Sequence, residues 1–272
     1  MVKVIGIGDN VVDKYVHIKT MYPGGNALNF SVFAKKLGFE AAFIGTFGDD
    51  AEAEHVQRVV NEIGIDVSHC RHFSGENGCA RVTLEDGDRV FLGSNDGGVT
   101  REHLLELTED DKAYIQEFSL IHTGLYSHTG HILTELSALG VPLSFDFSDD
   151  FQQEQIDQFI SDVNYGFFSC SHLSEEEAKQ LLKANFAKEG QILLATRGSE
   201  PAIAFDGANY YYQAPEYVKA VDTMGAGDSF ITAFLLSLIT GHDIQTAMKE
   251  AAGFAAKSCL VEGSFGYGVR YQ

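Results

Sequence analysis

"PLSFDFSDDFQQEQIDQFISDVNYGFFSCSHLSEEEAKQLLKANFAKEGQILLAT", residues 142–196, alternates three short apolar runs with two longer stretches rich in charge. The runs at 142–147, 165–170 and 191–196 are continuous rather than strictly alternating, so each reads as a strand covered on both faces. The stretches at 152–162 and 174–187 read as helices. Strand, helix, strand, helix, strand is the pattern of a parallel sheet with helices packed on both sides. Outward from this segment the rhythm repeats. Strands are expected at 2–7, 41–46 and 120–125, and helices at 26–37, 50–63 and 129–139. The last third reads as helix, an apolar one at 229–241 ending at Gly241 and another at about 243–260 with Asp243 as its N-cap.

One region departs from that rhythm. "CARVTLEDGDRVFLGS", 79–94, reads as two strands about an Asp86-Gly87 turn, and "VVDKYVHI", 11–18, offers another. Antiparallel strands inside an alternating chain predict a small flap over the main sheet, with an ordinary edge hairpin as the plainer alternative. No repeat, low-complexity tract or linker divides the chain, so residues 1–272 are expected to form one main domain.

Composition narrows the function classes. The 272 residues are 44% hydrophobic and 21% charged, and 19 Lys+Arg against 39 Asp+Glu leave a net charge of -20. So acidic a chain is a poor match for nucleic acid or anionic membranes. Cys70, Cys79, Cys170 and Cys259 are scattered without a C-x-x-C pair, which speaks against a disulfide framework or zinc ribbon and for a reducing compartment. "MVKVIGIGDNVVD" meets an aspartate too early for a signal peptide, and no apolar run is long enough to span a bilayer. A soluble cytoplasmic protein is expected.

The chemistry is concentrated in "DTMGAGDSFITAF", 222–234. A helix starting near Asp228 presents backbone N–H groups without partners, at the positive end of its dipole. Gly225 and Gly227 let that backbone approach an anion closely, so no lysine is needed. The G-x-x-x-x-G-K-[ST] pattern is absent, which excludes a P-loop. Asp228 cannot ligate the anion. It reads either as a simple N-cap or as a base for a hydroxyl that attacks a bound phosphoryl group.

These residues resemble a known family. "DTMGAGD" is similar to the D-T-x-G-A-G-D signature of the ribokinase-like (PfkB) carbohydrate kinases, and "PGGNALNFSVFAKKLG", 23–38, resembles that family's glycine-pair segment before a helix. The resemblance implies a doubly wound, mainly parallel α/β sheet with helices on both faces and a small β lid, the lid formed by about 10–20 and 77–97. It implies transfer of the γ-phosphoryl of ATP to a sugar hydroxyl with magnesium, and a homodimer through the lid. A monovalent cation is left open. Carried over by motif, Asp228 is the base, and the N–H groups of Gly225, Ala226 and Gly227 form the anion hole.

Further positions follow in the same way. Asp9, at the end of the first strand, and Asp13 are candidate sugar ligands, each with a capping or structural alternative. Gly24 and Gly25 permit close approach, and Asn29 offers both a donor and an acceptor. Asn26 reads as the helix N-cap. His122 reads as a substrate contact or, more simply, a satisfied histidine beside the sheet. Arg89 and Phe91 are lid residues placed to touch substrate. "ATRGSEPAIAF", 195–205, stands where the family carries T-x-G-x-x-G, with Pro201 in place of the second glycine. Thr196, Arg197 and Gly198 are its candidate nucleotide contacts. "SCSHLSEEE", 169–177, stands where N-x-x-E is usual, so Ser171 replaces asparagine and Glu175 is the nearest acid for magnesium. "DFSDD", 146–150, departs from D-x-N-x-R. Together with "GIGDNVVDKY" and "IHTGLYSH", these features resemble a bacterial branch that phosphorylates the 6-hydroxyl of fructoselysine. Another ketose or a nucleoside is the alternative substrate, and a non-catalytic sugar- or nucleotide-binding regulator the alternative class.

Overall fold

The computed structural model describes residues 2–85 and 88–272, with side chains described for 2–83 and 90–272. The Asp86-Gly87 turn and the Arg89 side chain, both singled out above, lie outside the described residues. The strands are β1 (Lys3–Gly8), β2 (Val11–Tyr15), β3 (Thr20–Gly24), β4 (Glu40–Phe47), β5 (Arg71–His72), β6 (Gly78–Glu85), β7 (Asp88–Ser94), β8 (Leu120–Gly124), β9 (Leu143–Asp146), β10 (Tyr165–Ser169), β11 (Ile192–Arg197), β12 (Glu200–Phe205), β13 (Tyr210–Gln213) and β14 (Val269–Arg270). The α-helices are α1 (Asn26–Lys36), α2 (Ala51–Ile63), α3 (Val99–Glu102), α4 (Glu109–Ile115), α5 (Leu133–Ala138), α6 (Gln153–Phe159), α7 (Glu175–Ala184), α8 (Ala226–Ile239) and α9 (Ile244–Ser258).

The main sheet has nine strands in the order β13-β12-β11-β10-β9-β8-β1-β4-β5. It is parallel from β11 through to β5, and β12 and β13 add antiparallel strands at one edge. Two hydrophobic layers cover it. Phe30, Phe33, Val56, Phe234 and Ala251 belong to the layer of α1, α2, α8 and α9. Ile115, Leu136, Ile156 and Leu182 belong to the layer of α4 to α7. The six strands read from continuous apolar runs all belong to this sheet, because burial on both faces erases alternation.

The chain winds from β1 outward to β4 and β5, then returns to β8 on the other side of β1. The reversal opens a crevice beyond the carboxyl ends of β1 and β8, where doubly wound sheets bind ligands. Asp9 follows β1 directly, and the helices that start nearby are α1 and α8.

A second sheet, in the order β14-β3-β2-β6-β7, carries the expected 79–94 hairpin as β6 and β7. Strand β2 lies parallel to β6 and antiparallel to β3. Strand β3 escapes the sequence pattern because Thr20–Gly24 includes Pro23 and Gly24, which weaken strand propensity. The expected helix at 129–139 is broken: a 3-10 turn at Gly130–Ile132 precedes α5. The apolar helix is buried as its composition requires, but it starts at Ala226, before the expected 229, with Gly225 at its N-cap. Among the described residues no helix is long and apolar enough to cross a membrane.

Candidate active site

Helix α8 begins between two cavities. Gly225 has φ 69, in the left-handed region that glycine enters at little cost. A Cβ there would lie 2.8 Å from that of Ser264. Because Gly225 has no side chain, no cap closes the helix end. Of the three amides expected in the anion hole, that of Ala226 donates to the carbonyl of Thr223 at 3.2 Å. Gly227 and Asp228 occupy the next two positions of the first turn, whose N–H groups the helix itself does not satisfy. Asp222 fixes the turn from below. Its carboxylate accepts from the amides of Met224 and Gly263, at 3.0 and 2.9 Å, and from the Tyr15 hydroxyl of β2 at 2.5 Å.

On one side of this turn lies a cavity of about 190 Å³, lined by Asp9, Asp13, Asn29, Phe91, Asp146 and Asp228 among others. Four carboxylates meet there, and no lysine or arginine is among the described residues that line it. Asp228 is half-buried. Its two oxygens accept from the side-chain amides of Asn26, at 3.0 Å, and Asn29, at 2.5 Å. Burial pushes the Asp228 carboxyl up to about 6, while the Asn29 and Asn26 bonds pull it down and the nearby Asp9 charge adds to the rise. Asp146, at the end of β9, is pushed up to about 7 by burial and then by the charge of Asp228. It accepts from Asn26 Nδ2 at 2.9 Å and from the Ser148 amide at 2.9 Å. The carbonyl oxygen of the Asn29 side chain is buried with no hydrogen-bond partner.

On the other side is a cavity of about 450 Å³, with largely apolar walls from Val218, Phe230, Ala252, Ala255 and Ala256. Ala226 and Gly227 line it, whereas Gly225 and Asp228 line the smaller one. The signature turn is therefore the wall between them. Thr196, Arg197 and Gly198 also line the larger cavity. A bulge between Ala195 and Arg197 breaks the β11 register at Thr196, a device that re-aims a side chain.

Most residues expected at a site therefore converge on these cavities, and some do so differently from expectation. Asp9 lines the smaller cavity and also caps α1, accepting from the amides of Asn26, at 2.7 Å, and Ala27, at 3.1 Å. The N-cap of α1 is Gly25, φ 110, and not Asn26 as expected. Capping from outside frees the Asn26 side chain to bridge Asp146 and Asp228. Gly24 leaves room for Asp13, whose Oδ2 would lie 2.8 Å from a Cβ at that position. Arg197 is buried at 8% exposure, and its guanidinium donates to the carbonyls of Pro201 and Leu173. Its Nε has no partner. Glu175 stands in the first turn of α7, exposed and lining neither of these cavities. Among the described residues no group of three or more His, Cys, Asp or Glu could hold a metal.

Sequence reasoning missed Asn26, Asp146 and Ser264 as site residues. Asp146 was within reach, since "PLSFDF" puts an acid at the end of a buried strand in a sheet of this kind. His122 is fully buried and satisfied, the plainer of its two readings.

The pattern of the pfkB family carbohydrate kinases matches residues 1–265. The chain belongs to that family. This ATP-dependent carbohydrate kinase is 42% identical over 271 residues to the fructosamine kinase FrlD of Bacillus subtilis (strain 168), covering 99% of this chain and 95% of that protein. It is 34% identical to the fructoselysine 6-kinase of Shigella flexneri, over 95% of this chain and 98% of that one. Among solved structures, the ribokinase of Arabidopsis thaliana complexed with ribose and ATP superposes on the kinase with a TM-score of 0.82. The superposition covers 97% of this chain and 95% of the ribokinase at 17% identity. The kinase thus has the ribokinase fold expected from the resemblance.

Proposed function

We propose that this kinase phosphorylates the 6-hydroxyl of a fructosamine, fructoselysine foremost. The observation that carries the reading is Asp228 on the wall between an apolar cavity of nucleotide size and a small polar one. The sugar hydroxyl gives its proton to Asp228 as its oxygen bonds to the γ-phosphorus of ATP, and the bond to the ADP oxygen breaks. Asn26 and Asn29 hold both carboxylate oxygens from behind, which leaves lone pairs facing the cavity. The amides of Gly227 and Asp228, with that of Ala226 once it turns from Thr223, face the charge on the transferred group.

The larger cavity fits ATP, with Thr196 and Gly198 beside the phosphates and the alanines of α9 against the base. The side chains offer no cage for magnesium, and Glu175 stands outside the lining of both cavities, so it is dropped as a ligand. Bound to nucleotide phosphates and waters, a magnesium ion would supply charge neutralisation without such a cage. Arg197 is read as a strut for the turn rather than a phosphate ligand. We read the second sheet as a lid over the sugar, with Asp13 and Phe91 as its contacts. Its edge strand β7 exposes Phe91 and Leu92, and a homodimer through that edge in the cytoplasm completes the reading.

Fructoselysine carries amine charge, and a cavity with four carboxylates, and no lysine or arginine among the described lining residues, suits a cationic ligand. Initial rates of ATP consumption on fructoselysine, fructose, ribose and adenosine test this. Fructoselysine should be preferred over fructose by at least tenfold in kcat/KM, corresponding to about 1.4 kcal/mol. Equal rates on both would make a free ketohexose the substrate. That second reading is favoured by the cavity's carboxylates, which accept equally from the hydroxyls of any sugar.

A further inference from the structure

His122, on β8, is not among the residues lining the small cavity. It is fully buried, stacked on Phe30 with ring centroids 4.6 Å apart. Its Nε2 is 3.1 Å from the Asn26 side-chain oxygen, and its Nδ1 is 2.9 Å from the Ser144 hydroxyl. The tautomer follows from the neighbours. Asn26 faces two carboxylates with its amide nitrogen, at 2.9 Å from Asp146 and 3.0 Å from Asp228. Both amide hydrogens are committed there, so the oxygen faces His122 and accepts. Nε2 therefore carries the proton, and Nδ1 accepts from Ser144.

We propose that His122 is a positioning residue for the phosphoryl transfer: as the Nε2–H tautomer it orients the Asn26 amide, so that one of its hydrogens holds Asp228. The inference rests on Asp228 being the base. A rotated Asn26 would present its oxygen to Asp146 and Asp228, and that orientation requires a donor to be lost from Asp228. His122 disfavours the rotation, because the rotated amide would meet its N–H with another N–H. Burial pushes the imidazole down to about 3, so the ring stays neutral and keeps one fixed donor across the working range.

The groups facing Asp228 define how this reads out. Among the described residues they are Asp9 beyond β1, Asp13 on β2, Tyr126 after β8, Asp146 on β9 and, through Asn26, His122 on β8. Ionised Asp228 is stabilised by the Asn26 N–H, so loosening that bond raises its pKa. The acid limb of kcat/KM then moves to higher pH.

His122→Phe keeps the stacking surface and removes the N–H, and His122→Gln returns an amide donor near the place of Nε2. In the Phe variant the acid limb should rise by about one pH unit, with kcat/KM reduced about twofold at pH 7 and approaching a tenfold loss well below pH 6. The loss should shrink toward high pH, KM for ATP should hold, and the Gln variant should recover most of the activity. A loss equal at every pH, or a Gln variant no better than Phe, overturns the role. Imidazole ¹⁵N shifts of the wild-type enzyme give a test that needs no variant to fold. A neutral Nε2–H ring from pH 5 to 9 is expected, and an Nδ1–H or charged ring overturns the proposal. The base reading is separated by Asp228→Asn. If that variant keeps full turnover, the base assignment fails; if it is inactive while His122→Phe leaves the limb in place, only the His122 role fails.

Discussion

Asp228→Asn is expected to lower kcat by about 10²–10⁴, with thermal stability near that of wild type. Asparagine fills the same space but cannot take the hydroxyl proton. It also turns an amide toward either Asn26 or Asn29, which now donate to the carboxylate. The fold should survive, because Asp228 is half-buried and its main-chain carbonyl still accepts from Thr232 Oγ1 at 2.7 Å. Since the nucleotide cavity is lined by Ala226 and Gly227 rather than by the Asp228 side chain, KM for ATP should change little. Steady-state kinetics on the preferred sugar decide the matter, and undiminished turnover would remove Asp228 from its role.

Gly225→Val should be nearly as damaging, by a different route. The new side chain is β-branched at φ 69, where non-glycine residues are strained by about 1–3 kcal/mol. Its Cβ would also lie 2.8 Å from the Ser264 Cβ. Relief requires the turn to shift, and the amides at the head of α8 shift with it. A displacement of about 1 Å in such a site costs on the order of 10² in rate. A lowered melting temperature together with kcat reduced about 100-fold is the expected result. Gly225→Ala keeps the backbone strain and the contact with Ser264 but drops the β-branch, so it should be damaged less in both. Wild-type rates in the valine variant would show that the turn does not set the geometry of transfer.

How much of this was legible in the sequence depends on which signal carried each element. The six parallel strands were legible because "VIGI", 4–7, or "ILLA", 192–195, runs apolar without alternation, as a doubly covered strand does. The hairpin of the second sheet was legible from alternation around Asp86-Gly87. Strand β3 was not, because its pairing with β2 overrides the weak propensity of Pro23 and Gly24. In the site, 222–228 was legible because backbone chemistry is written in glycines. The network behind it was not. Asn26 looked like a cap only because the actual capping group, Asp9, lies 17 residues away in sequence. Contacts such as Asn26 to Asp146, at a separation of 120, or to His122, at 96, exist only once the sheet has brought their strands together.

The crowding of carboxylates in the small cavity also bears on how durable the free enzyme is. Asp146 and Asp228 hold protons in the folded chain up to about 7 and 6, whereas the ordinary value is 3.8. A carboxyl whose folded value is raised favours the folded state below the unfolded value and loses that contribution as pH rises through the folded one. These two groups therefore withdraw stability between about pH 4 and 7, and the net charge of -20 adds self-repulsion in the same direction. The melting temperature of the empty enzyme should fall from pH 5.5 to pH 8, and a flat or rising profile would contradict this. The carboxylates gathered for the proposed proton transfer thus also make the small cavity a place where the fold gives up stability as pH rises.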